Sequence, residues 1–140
     1  MFNEHVEEQI LEWKAFRRKL AASQDPLTDV VKFWSMAPLV GKNLDIYRPE
    51  TWPNPWQIIS EKRYCDVTLA IMMAHTVDLS GLFDEPVLIK VLIDSDIKAM
   101  YNVCTIQDKI LNYNHREVVL AKDLPNSVYE QFSTPLVSFK

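Results

Sequence analysis

Apolar residues in the first twenty positions recur at helical spacing. Val6, Ile10, Trp13 and Leu20, with Arg17 filling the rhythm, fall three or four apart, which predicts an amphipathic helix over residues 3–22. Glu4, Glu7 and Glu8 open this stretch and Arg17, Arg18 and Lys19 close it, the order a helix dipole favours. Asp25-Pro26 reads as an N-cap followed by proline at the first helical position. It starts a second helix that reaches Met36 and stops before Pro38. Asn54-Pro55 repeats the signal and predicts a short helix over 55–62. A longer helix follows over 65–79, with Leu69, Met72, Met73 and Thr76 on its inner stripe and Ser80-Gly81 as its stop. After Pro86 the pattern shifts to β-branched residues. The stretch 87–93 reads as a buried strand, and 100–106, 109–113 and 117–120 follow across tight turns as an antiparallel meander. A last strand or a mobile tail is expected at 135–139. Helices first and strands afterwards make an α+β fold.

The chain of 140 residues suits one domain. Residues 1–24 are expected to protrude as a helix, and 126–140 to form a flexible or partner-bound tail. Between the second and third helices, residues 37–55 hold four of the eight prolines, which marks a long irregular loop. Its block Trp52-Pro53-Asn54-Pro55-Trp56 reads either as a plug over the core or as a contact surface. Trp13, Tyr47, Trp52 and Trp56 are the candidate partner-binding residues.

Composition removes several function classes. There are only two glycines, Gly41 and Gly81, where average usage gives roughly ten. A glycine-rich phosphate cradle is therefore excluded. The formal net charge of −4 argues against coating nucleic acid. No stretch has the apolar length of a membrane span, and the acidic N-terminus does not read as a secretory leader. Cys65, Cys104, His5, His75 and His115 show no metal-ligand spacing. No cofactor and no metal are expected.

Cys65 is the one residue with a chemical setting. It opens a predicted helix, where unpaired N–H groups stabilise a thiolate, and Arg63 lies two residues upstream. The competing reading is a buried small apolar residue. A cysteine heading a helix, followed by antiparallel strands, resembles the core of transglutaminase-like and papain-like cysteine enzymes, over roughly residues 64–113. The resemblance places Arg63-Tyr64-Cys65-Asp66 at the nucleophile, 99–103 at the histidine strand and 109–113 at the acid strand. It implies that Ala99 or Met100 stands where the family has its histidine, and Asn112 where it has its aspartate. His75 lies on the nucleophile's own helix and His115 in a turn beyond the acid strand. The expectation is a noncatalytic protein on a degenerate enzyme core. The alternative is a cysteine-dependent hydrolase or transferase using Cys65, with His115 or His5 brought in as the base and Asn112 as a candidate partner.

The segments 25–38 and 51–65 also resemble small proteins of T4-like tailed phages. That resemblance implies a virion component or accessory protein acting through contacts with protein subunits of a phage particle. A homo-oligomer is allowed, and the location would be the host cytoplasm during assembly or the virion.

Overall fold

Eleven consecutive residues, Val67 through Val77, are buried. The helix that carries them therefore has no solvent face, which requires packed neighbours all round. The computed structural model describes residues Met1–Lys140 and shows what encloses it. Helices α1 (Val6–Lys19), α2 (Pro26–Trp34), α3 (Pro55–Glu61) and α4 (Asp66–Ser80) are followed by strands β1 (Val87–Asp94), β2 (Ala99–Ile106), β3 (Lys109–Asn114), β4 (Glu117–Leu120) and β5 (Val128–Pro135). The strands form one antiparallel sheet of order β4-β3-β2-β1-β5. The central helix α4 packs against β1, β2 and β3 and against all three other helices. No helix is long and apolar enough to cross a membrane.

The helix ends form where the local chemistry predicts. Asp25 caps α2 by accepting from Thr28 N–H at 3.3 Å, with Pro26 at the first position. Asn54 and Gln57 form a reciprocal capping box on α3, each accepting at 2.8 Å. Gly81 ends α4 at φ +70, a conformation glycine adopts without strain. Trp13 is fully buried, so it offers no surface to a partner. Trp52 and Trp56 are half-buried against the same core, and Trp52 Nε1 donates to Asp45 O at 2.8 Å. The block acts as a plug. Tyr47 is 42% exposed and donates its hydroxyl to Gln131 Oε1 at 2.6 Å.

Residues 128–135 form a strand where the sequence pattern suggested a tail. β5 pairs with β1 along its length, with a bulge between Val91 and Leu92. It lies at the sheet edge with mostly exposed side chains, so it lacks the apolar alternation that marks an inner strand. Pro135 is accommodated at its end, where a missing N–H costs no ladder bond.

One hydroxyl ties three helices together. Thr76 Oγ1 on α4 donates to Met72 O at 2.6 Å and accepts from Trp13 Nε1 of α1 at 3.0 Å and Trp34 Nε1 of α2 at 2.9 Å. The single proton and both lone pairs are used. All three residues are removed from solvent, so water cannot replace the acceptor. Thr76→Val keeps the shape and orphans two buried indole N–H groups. It should lower unfolding free energy by about 2–5 kcal/mol in urea titrations, whereas Thr76→Ser, which retains the hydroxyl, should cost at most about 1.5 kcal/mol.

Candidate active site

The site begins where the chain turns from α3 into α4. α3 ends at Lys62, which takes left-handed backbone at φ 55. Cys65 then adopts extended backbone as the N-cap of α4. Its own backbone is tied down by Thr68, whose hydroxyl accepts Cys65 N–H at 2.6 Å. That hydroxyl lies 2.9 Å from Cys65 O and 3.7 Å from the sulfur, both within donating reach of its single proton.

The long loop after α2 supplies the second wall. Leu39 bridges Tyr64 in parallel, and Val40 N–H donates to Tyr64 O at 2.7 Å. Asn43 Nδ2 donates to Arg63 O at 3.2 Å. The loop thus lies against residues 63–65. Cys65 is 4% exposed and lines an open pocket of about 330 Å³. Leu39, Val40 and Met100 give the pocket apolar walls, and Lys42, Asp66 and Asn102 are its polar groups.

The two thiols differ sharply. Burial pushes the Cys65 thiol up, but the backbone of Asn43, Thr68 and Val67 and the Thr68 hydroxyl hydrogen-bond the sulfur and outweigh it. The net effect is a thiol below its ordinary value. Cys104, on β2, is fully enclosed, and burial pushes its thiol far above the ordinary range.

The strand positions read from the sequence need one correction. Met100 and Asn102 line the Cys65 pocket, and Ala99 does not. Asn102 therefore joins Met100 at the place assigned to the histidine strand. Asn112 lies where the acid strand was expected, and in unusual backbone. It takes φ 73 within β3, where the pairing with β4 is irregular. This twist sends its Nδ2 to Asn102 O at 2.9 Å and Asp66 O at 3.2 Å. Asn112 thus links both sides of the site, although it lines the neighbouring cleft rather than the Cys65 pocket.

None of the three histidines lines the Cys65 pocket. His115 lines that neighbouring cleft, which shares Leu39, Asp66 and Met100 with it. His5 is the N-cap of α1. His75 lies on α4 beside Trp52 and Phe139, is 3% exposed, and has a buried Nδ1 with no partner. Burial brings its pKa down to about 4, against an opposing pull from Asp78. No group of three or more His, Cys, Asp or Glu is placed to hold a metal ion.

No family model matches the chain, and no curated protein matches it by sequence. Solved structures do match. Calcium-bound LapG of Legionella pneumophila superposes with a TM-score of 0.72 at 15% identity, covering 94% of this chain and 76% of LapG. A second LapG structure gives 0.69 at 15% identity, covering 92% and 75%. The fold is transglutaminase-like α+β. This match overturns the expectation of a noncatalytic phage virion part. The likeness to LapG runs over nearly the whole chain, not only over the core segment around Cys65. Nothing in the matches points to a phage particle.

Asn102, Asn43 and Thr68 escaped the sequence reading. Thr68 alone left a trace, three residues after the N-cap, where a side chain reaches back to the cap.

Two measurements follow from these groups. Iodoacetamide should alkylate Cys65 with a pH midpoint below the usual thiol value of about 8.5 and leave Cys104 untouched until unfolding. Thr68→Val removes a hydroxyl donor and should slow Cys65 alkylation at pH 7 by roughly 2–10-fold. His75 has a folded-state pKa below its unfolded one, so the unfolded chain takes up the extra proton. Stability should be fully present above about pH 6.5 and fall on acidification to about pH 4, by on the order of 3 kcal/mol. A His75→Leu variant compared with the parent by urea unfolding across that range should lack this component.

Proposed function

We propose that this chain is a cysteine-dependent acyl hydrolase or acyl transferase with Cys65 as its nucleophile. The observation that carries this reading is the sulfur itself. It sits at the N-terminus of a buried helix, at the wall of an open pocket, with hydrogen bonds that outweigh the cost of burial. Cys104, fully enclosed on β2, is the opposite case, a thiol that burial pushes far up. The transglutaminase-like scaffold supports the same conclusion, because the nucleophile of that fold heads the helix that Cys65 heads here.

The chemistry runs through an acyl-enzyme. The Cys65 thiolate attacks a carbonyl carbon, the leaving group departs, and water or an amine then takes the acyl group from sulfur. Helix N-terminal N–H groups and the polar rim of the pocket face the developing oxyanion.

p-Nitrophenyl acetate tests this directly. The protein should release a burst of nitrophenolate close to one equivalent per chain, with a mass gain of one acetyl group on Cys65. Cys65→Ala should abolish the burst and Cys104→Ala should retain it. A burst that survives in Cys65→Ala, or no burst from the parent protein, would overturn the proposal.

A further inference from the structure

An imidazole in a cysteine enzyme has two tasks. It takes the proton from the thiol, and it later returns a proton to the leaving group. At Cys65 the first task is eased by hydrogen bonds from Asn43, Val67 and Thr68, which favour the thiolate. The second has no occupant. The pocket contains no histidine, the side chain whose proton exchanges most readily near neutrality. Lys42 and Asp66 reach the pocket from exposed positions.

This division restricts the substrate. An alkylamine leaving from an amide needs a proton as the C–N bond breaks. A thiolate does not, because a thiol of pKa about 8.5 departs readily as the anion. The residue at the histidine strand fits the same restriction. Asn102 lines the pocket beside Cys65. Its backbone carbonyl is held by Asn112 Nδ2 at 2.9 Å. Its Oδ1 is buried without a partner. A carboxamide cannot shuttle a proton, but its N–H can donate to an oxyanion.

Building on the acyl-transfer reading above, we infer that the Cys65 pocket takes acyl thioesters, with the Asn102 carboxamide donating to the oxyanion in place of an imidazole. The step balances without a co-reactant. The Cys65 sulfur pair forms the new S–C bond, and the carbonyl π pair moves onto oxygen beside Asn102 Nδ2–H. Collapse of the tetrahedral species re-forms the carbonyl and expels the substrate thiolate with the old C–S pair. That thiolate then takes its proton from water. The acyl group has passed from sulfur to sulfur, with nothing oxidised or reduced. The apolar walls formed by Leu39, Val40 and Met100 suit an aliphatic or aryl acyl chain.

The probe is the phenylacetyl thioester of N-acetylcysteamine, set against the matching N-alkyl amide. The full-length protein should gain one phenylacetyl mass on Cys65 from the thioester within minutes. It should gain none from the amide over many hours. Asn102→Ala should slow acylation about 100-fold while iodoacetamide still alkylates Cys65 within about two-fold of the parent rate, since alkylation forms no oxyanion. Asn102→Leu, close in volume, repeats the measurement should the alanine variant be misfolded. Acylation by the amide as fast as by the thioester would overturn the inference, as would Asn102 variants that acylate at the parent rate. If the nitrophenyl ester burst persists in the parent protein, either result leaves the cysteine reading standing. Loss of that burst removes both.

Discussion

Enclosure of α4 on every side is the constraint on which the rest depends. A helix with no solvent face must satisfy each polar side chain internally, because an orphaned buried donor costs about 1–3 kcal/mol. The chain meets this with two threonines. Thr76 accepts both indoles of Trp13 and Trp34 and fixes how α1 and α2 lie on the central helix. Thr68, two turns earlier, closes the N-terminal end around Cys65. His75 is the exception, buried and incompletely partnered.

The same enclosure focuses the chemistry. With the body of α4 covered, its N-terminus is where the helix meets an open pocket. Unpaired N–H groups at that end stabilise negative charge, and low-dielectric surroundings strengthen their effect. The sulfur is largely buried, yet its hydrogen bonds hold the thiol below its ordinary value. Cys104, on β2, is more completely enclosed, and burial holds its thiol far above the ordinary range.

Much of the fold was legible along the chain because its signals are local. Asp25-Pro26 and Asn54-Pro55 state two helix starts in adjacent residues. The β-branched run from Val87 states a strand, and Cys65 was readable as a helix cap. The missing pieces depend on distant partners. β5 is an edge strand whose identity comes from pairing with β1. Thr76 serves tryptophans 63 and 42 positions away. Asn102 gains its place from strand register and from the twist at Asn112. The noncatalytic expectation rested on Ala99 or Met100 standing at the histidine strand; the wall residue Asn102 lies two positions beyond Met100 on that strand.

The strap formed by residues 39–43 has a thermodynamic consequence. It supplies both a wall of the pocket and, through the Asn43 backbone, one donor to the sulfur. Ionisation of Cys65 and seating of the strap are therefore linked equilibria. Any occupant that presses the strap down favours the anion, and by reciprocity the anion grips the strap by an equal free energy. The thiolate and the strap that walls its pocket share one energy term.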